Sequence, residues 1–378
     1  MTMQISYIAN VRLPTERAHG AQIMHMCKAF ADAGVIITLV IPRRINALIK
    51  SPYEYYDILP SQNFRIIKLP VIDLVPWKVP GAFMIESITF VLSSAWYICR
   101  TKPAVVYTRG ESVLLLARML PKSTTLFWET HAKQKNIESY KRIFPKIRGF
   151  ITLTKLYAKE LTGSYNVPAE QVLTAHDGID ARFLDVYSKA DARRELGLPK
   201  KTKIVMYFGL LDEWKGVDTL FKSSGQLLMQ GIRIAIAGGS EAEVSRLKQQ
   251  YPDVIFLGFT EYRRLPRLQV AADILVVPNS AKSLISTHYT SPLKVFAHMA
   301  SGVPLIASDL PSLHEVLNEK NAYFFKADES ASLIQGIQEI LADTNAGQTR
   351  ATKAKLDAKE YFWSTRAERI ISFIASLT

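Results

Sequence analysis

Short runs of β-branched and aromatic residues alternate with helix-length amphipathic segments from one end of this chain to the other. Strands are expected at Gln4–Ala9, Ile36–Ile41, Phe64–Lys68, Val105–Tyr107, Thr125–Trp128 and Phe150–Thr152. They recur at Lys203–Phe208, Arg233–Ala237, Val254–Leu257, Ile274–Pro278, Pro304–Ala307 and Ala322–Phe325. Helical spacing fills the intervals, as at Ala21–Ala33, Phe83–Arg100, Ser112–Leu120, Val217–Gln230, Pro292–Ser301 and Ser330–Leu341. A parallel strand pair needs a crossover, and a helix is the usual one, so this alternation calls for parallel sheets covered on both faces. The expected fold class is α/β, with two Rossmann-like, doubly wound parallel-sheet domains. The pattern breaks near Asp185–Pro199, which divides the chain into residues 1–185, residues 186–360 and a terminal helix over 361–378. Such sheets take ligands at the carboxyl ends of their strands, so two facing sheets imply a cleft.

Charge narrows the partners. The formal net charge is +13, which favours anionic ligands or surfaces. Cys27 and Cys99 are too few for a disulfide framework or a zinc site, so a cytoplasmic location is expected. The opening Met1-Thr2-Met3-Gln4-Ile5 runs straight into a strand pattern and does not read as a signal peptide. No uninterrupted apolar run reaches the ~20 residues that span a bilayer. The nearest, within Gly81–Arg100, has two readings: a buried helix, or an amphipathic element on the inner face of a membrane with Trp77, Trp96 and Tyr97 at the interface.

Several strand ends carry polar or glycine-containing loops. Ser291-Pro292-Leu293-Lys294-Val295 opens a short helix that Gly302 closes; Ser291 is expected to cap it and Pro292 to take its first position. Such a helix start offers free N–H groups to a phosphate. Lys215 lies in Gly209-Leu210-Leu211-Asp212-Glu213-Trp214-Lys215-Gly216, just before another helix, where it suits a phosphate or is an ordinary surface lysine. Gly20 opens the first helix, where a missing side chain would let a ligand approach. His131, in Trp128-Glu129-Thr130-His131, is placed to meet a sugar hydroxyl or move a proton, or is a satisfied surface histidine. Lys133, Lys135, Lys141, Arg142, Lys146 and Arg148 follow it, as a solvated face or a patch for anionic lipid. Aromatic residues are sparse there, which weighs against single-stranded nucleic acid. Neither G-x-G-x-x-G nor a Walker lysine motif occurs, which disfavours dehydrogenases and P-loop enzymes.

In order, these segments resemble the glycosyltransferase family 4 pattern, in the subgroup with S-P-L-K at the donor site. The resemblance covers nearly the whole chain. It rests on Arg12-Leu13-Pro14-Thr15 with Gly20, Tyr107-Thr108-Arg109, Glu129-Thr130-His131, Asp177-Gly178-Ile179-Asp180, Tyr207 through Asp218, Phe256-Leu257-Gly258-Phe259, Ser291 through Asp309, and Trp363-Ser364-Thr365-Arg366. It implies the two-domain GT-B fold, an N-terminal acceptor domain and a C-terminal nucleotide-sugar domain. The implied activity is retaining transfer from a nucleotide-diphosphate sugar to a glycan, lipid-linked or related acceptor. No metal or other cofactor is expected, because cations and helix N-termini stabilise the leaving diphosphate. By position, Lys215 and Gly209 with the Ser291–Val295 stretch would hold the diphosphate, and Gly258, Phe259 and Thr260 would border the base. His131 and Gly20 would face the acceptor and the transferred sugar.

The chain departs from the family at three positions. Tyr289 and Ala297 stand where two glutamates commonly lie, and Leu210 stands where an arginine is usual. A lost charge-assisted contact costs ~1.5–3 kcal/mol of binding. A non-catalytic GT-B protein that binds a glycan or a partner is therefore the second reading.

Overall fold

The computed structural model of the chain describes residues 2–110, 114–131 and 141–378. It forms two compact units: Met1–His176 with Trp363–Thr378, and Asp177–Phe362. In the first unit the described strands are β1 (Gln4–Ile8), β2 (Ile36–Pro42), β3 (Phe64–Leu69), β4 (Val105–Thr108), β5 (Thr125–Thr130), β6 (Gly149–Thr152) and β7 (Val172–Thr174). They lie in the order β3-β2-β1-β4-β5-β6-β7 and every pairing is parallel. The second unit contains β8 (Lys203–Phe208), β9 (Ile232–Ala237), β10 (Ile255–Gly258), β11 (Ile274–Val277), β12 (Leu305–Ser308) and β13 (Tyr323–Phe325). Their order, β10-β9-β8-β11-β12-β13, repeats the plan, again all parallel. In both sheets the direction of winding reverses beside the first strand, between β1 and β4 and between β8 and β11, where α/β sheets open a ligand crevice.

The period-two alternation of each strand sorts its residues between two helix layers. Ile204, Met206 and Phe208 of β8 join the apolar cluster that holds Val295, Phe296 and Ala300 of the helix Leu293–Ala300. Val205 and Tyr207 join the opposite cluster, with Leu220 and Leu227 of Val217–Met229 and Leu333 and Ile337 of Ser330–Ala342. Burial on both faces explains why β8 reads as an unbroken apolar run.

The helix Trp363–Leu377 belongs to the first unit. Trp363 stacks on His25 of the helix Ala18–Asp32, with ring centroids 6.4 Å apart, and Ile370 and Ile374 are buried. Four elements carry no clear sequence pattern: β7, the helix Thr344–Asp357 and the short helices Pro52–Tyr55 and Lys189–Glu195. β7 has only three half-buried residues, too few for a periodic signal. The helix Thr344–Asp357 lacks a broad apolar stripe and buries only Gly347, Ala351 and Ala354. The helix expected over Ser112–Leu120 falls partly on residues outside those described; within it, Leu115–Arg118 forms a 3-10 turn.

Candidate functional site

Each unit gathers polar side chains at the carboxyl edge of its sheet. In the second unit they gather around Tyr207, near the end of β8. Its hydroxyl donates to the Leu210 carbonyl at 2.7 Å and accepts from Lys294 Nζ at 3.3 Å. The Lys294 ammonium also lies 4.3 Å from the centre of the Tyr207 ring. Lys294 starts on the helix against one face of the sheet, yet its stem reaches the tyrosine of the opposite cluster. Lys215 is half-buried, 3.0 Å from Asp212 and 5.2 Å from the Trp214 ring centre. Desolvation, and then the Lys215 charge, hold the Lys294 pKa well below the ordinary lysine value, against an opposing pull from Asp212. Among the described residues Asp212 is the carboxylate that acts on both lysines, so the cluster favours an added anion.

The loop that carries Lys215 is held by close backbone approach. Gly216 has φ +67°, and a Cβ there would lie 1.9 Å from the Pro278 carbonyl oxygen. A Cβ on Gly238 would lie 1.8 Å from the carbonyl oxygen of Gly209, whose own φ is +145°. Ser280 N–H donates to the Trp214 carbonyl at 3.0 Å and ties the loop to the end of β11. Between Pro278 and Ser280 lies Asn279, fully buried, whose side-chain oxygen and nitrogen have no hydrogen-bond partner among the described residues. Asn279 carries no distinctive sequence signal, because an asparagine after a strand resembles any turn residue.

Ser291 and Pro292 depart from expectation. Pro292 itself is the cap position, with φ −68° and ψ 126°, and the helix begins at Leu293. Ser291 Oγ does not cap it; it accepts from the Asp177 N–H at 3.2 Å. The Leu293 and Lys294 N–H groups open the helix, where no carbonyl of the preceding turn is available to them. Gly302, at φ +72°, follows the helix end as expected. Gly258, Phe259 and Thr260 lie at the end of the edge strand β10, with Phe259 exposed. Ala297 is buried in the apolar cluster. His298 is fully buried, 3.2 Å from Gln269 Oε1, and burial followed by the Lys294 charge pushes its pKa down to about 3.

The first unit gathers its groups around Glu129, which is completely buried at the end of β5. Glu129 accepts from Gln22 Nε2 at 2.6 Å, from His131 Nε2 at 2.5 Å and from the Tyr107 hydroxyl. Arg366, from the terminal helix, places a guanidinium nitrogen 3.3 Å from the carboxylate. Burial alone would raise the Glu129 pKa; Arg366, the His131 hydrogen bond and Arg109 outweigh it and hold it well below the usual value. Arg109 Nη2 lies 3.2 Å from His131 Nδ1. His131 therefore donates through Nε2 and accepts through Nδ1 as a neutral ring, with its pKa lowered to about 4 by burial and by Arg109. Both ring nitrogens are engaged within the protein. Arg366 reaches this site from 237 positions further along the chain, which strand-end inspection could not reveal.

Gly20 corrects a second expectation. A Cβ there would lie 2.0 Å from the Tyr56 hydroxyl, which itself binds the Thr15 N–H at 2.9 Å and the Thr15 carbonyl at 2.8 Å. The space beside Gly20 holds a tyrosine of the protein. Beyond the end of β1, Asn10 Nδ2 donates to Glu86 Oε2 at 3.2 Å and Ser87 Oγ at 3.1 Å. Glu86 is fully buried, and its Oε1 and the Asn10 Oδ1 have no hydrogen-bond partner among the described residues. Burial raises the Glu86 pKa, against the Asn10 hydrogen bond and Arg44. Of the basic stretch, Lys133 and Lys135 lie outside the described residues; Lys141, Arg142, Lys146 and Arg148 are exposed.

Comparison with known proteins bears most directly on the second unit. Residues 202–343 match the family model described as glycosyl transferases group 1. An uncharacterized glycosyltransferase of Methanocaldococcus jannaschii is 25% identical over 234 residues, covering 59% of this chain and 58% of that protein. The chain spans only about half the length of the curated relatives it matches. Sucrose-phosphate synthase from Thermosynechococcus elongatus has a similar structure, with a TM-score of 0.80, 19% identity and 99% of each chain covered. Anabaena HepE, solved in complex with UDP-glucose, gives a TM-score of 0.76 at 16% identity, covering 99% of this chain and 100% of that one. The two parallel-sheet units are those of the GT-B fold.

Proposed function

We propose that this protein is a retaining glycosyltransferase. It takes a sugar from a nucleotide-diphosphate donor and passes it to a glycan, lipid-linked or related acceptor. The observation that carries the reading is the under-neutralised pair Lys215 and Lys294 at the β8 edge, inside the segment that matches the glycosyltransferase model. Breaking a glycosidic bond to a diphosphate leaves negative charge on the departing phosphate oxygen. Fixed cations and N–H dipoles lower that barrier because they need no reorganisation as the charge appears. Lys215, Lys294 and the Leu293 and Lys294 N–H groups supply both, and Asn279 offers a donor and an acceptor to the sugar or phosphate. Gly258–Thr260 border the base in this reading. Diphosphate binding also offsets the repulsion that lowers the Lys294 pKa and so favours its charged form.

The acceptor side is assigned to the first unit, beside the polar group that Asn10 and Glu86 form. His131 stays neutral and orients Arg109. The test is a thermal-shift and calorimetric screen of UDP, GDP, ADP and their sugar conjugates. One of these is expected to stabilise the protein, with EDTA making no difference and Lys215→Ala weakening it ~10–100-fold. The reading fails if none binds, or if Lys215→Ala binds as well as the parent. Glu86→Gln should lower turnover with acceptor while leaving donor affinity intact.

A further inference from the structure

The helix Ala82–Thr101 has two apolar faces. One packs into the first unit through Phe90, Val91, Ala95 and Ile98. The other leaves Phe83, Met84, Ile88, Leu92 and Trp96 each more than half exposed. Met84, Ile88, Leu92 and Trp96 follow one another at four-residue spacing, so they form a single stripe along the helix. Trp77, 63% exposed, sits in the 3-10 turn Val75–Trp77 just before the helix. Leu115, which opens the neighbouring turn Leu115–Arg118, and Met119, which follows it, are also exposed. Scattered exposed apolar residues are normal on a folded protein; a continuous stripe on one long helix marks an interaction surface.

Charge identifies the partner. Over residues 70–102 and 114–122 the acidic side chains are Asp73 and Glu86, and both are buried. Lys78, Arg100, Lys102, Arg118 and Lys122 in the same segments are all exposed. Arg100 lies 5.5 Å from the Trp96 ring centre, at the end of the stripe. An apolar stripe with aromatic residues and a cationic margin fits the boundary between acyl chains and anionic headgroups. The helix is long and apolar enough to cross a bilayer, but Glu86 and Ser94 lie on its buried face and Phe90 and Ile98 anchor it in the fold. A helix held in this way rests in the interface and does not span.

We propose that the outward face of the helix Ala82–Thr101, with Trp77, docks the protein on an anionic phospholipid bilayer. The same helix carries Glu86, on its buried face, in the polar group beside Asn10. Docking itself is independent of the donor reading.

Cys99 makes the test direct. It is exposed, close to the stripe, and Cys27 is buried, so an environment-sensitive dye can be placed at Cys99 alone. The full chain is mixed with vesicles of phosphatidylcholine alone, or with about one-third phosphatidylglycerol. The dye is expected to shift to the blue, and the protein to sediment, with the anionic vesicles. Affinity should fall ~10-fold or more on neutral vesicles or at high salt. Leu92→Glu with Met84→Glu should abolish both signals while melting temperature and nucleotide binding stay unchanged. Undiminished sedimentation of that variant overturns the proposal, as does equal binding to neutral vesicles. So does a parent protein that ignores vesicles but forms a dimer that the variant dissociates, because a second copy then covers the stripe. Vesicle binding without nucleotide binding would sink the donor reading and leave this one standing.

Discussion

The two units repeat one strand order and place polar clusters at equivalent edges, yet their electrostatics are opposite. In the first, the buried Glu129 is met by Arg366, His131, Tyr107 and Gln22, so the cluster is closed upon itself. In the second, Lys215 and Lys294 have Asp212 nearby and repel each other. Topology therefore sets where a site forms, and the balance of charges sets whether it serves the fold or awaits an anion.

The sharpest way to break this contrast is Arg366→Leu. Removing one partner of a buried ion pair leaves an uncompensated charge, so a loss of about 3–5 kcal/mol is expected in chemical denaturation. Lys215→Ala should do the reverse: little change in stability, but a loss of ~1.5–3 kcal/mol in nucleoside-diphosphate binding by calorimetry. If Lys215→Ala unfolds the protein while Arg366→Leu is silent, the assignment of roles is inverted.

Acid titration sharpens the comparison. His131 and His298 are held neutral, with folded-state values of about 4 and about 3. Unfolding frees each ring to bind a proton below its ordinary value near 6.5. Stability from each is therefore fully present above that value and is lost as pH falls toward the folded-state value, at ~1.4 kcal/mol per pH unit. Urea denaturation of His298→Gln, compared with the parent between neutrality and the acid limb, should show a shallower decline. An unchanged slope would remove His298 from the account.

Proton uptake is a smaller and more specific signal. Donor binding should raise the Lys294 pKa, so in the pH range where the free lysine titrates the binding enthalpy should vary with the ionisation enthalpy of the buffer. Lys294→Arg should abolish the variation, because arginine stays protonated. The smallest expected effect is a rescue. Gly20→Ala meets the Tyr56 hydroxyl and Thr15 Cγ2, both side chains, so Tyr56→Leu should recover part of the lost stability, less the Tyr56 hydrogen bonds to Thr15. No such partner can rescue Gly216→Ala, because it meets the Pro278 backbone.

Much of this was legible before any coordinates. β8 and β9 run over Lys203–Phe208 and Ile232–Ala237, within a residue of expectation, because their patterns and glycine-bearing ends are strong. Lys215 and the Leu293–Val295 turn were readable as neighbours of helix starts. β7, the polar helix Thr344–Asp357 and the true cap at Pro292 were not, since each is held by tertiary contacts and not by local pattern.

The amino-acid sequence by itself determined the alternation of strands and helices, the cationic excess and the loops that carry lysine and glycine. These properties follow from local spacing and composition. Only the tertiary structure decided that Arg366 neutralises Glu129, that Tyr56 fills the space beside Gly20, and that Lys294 and Lys215 face each other's charge. Those outcomes depend on which distant side chains fold into the same few ångströms. Within that distance, desolvation and Coulomb forces settle whether a charged group supports the fold or waits for a ligand.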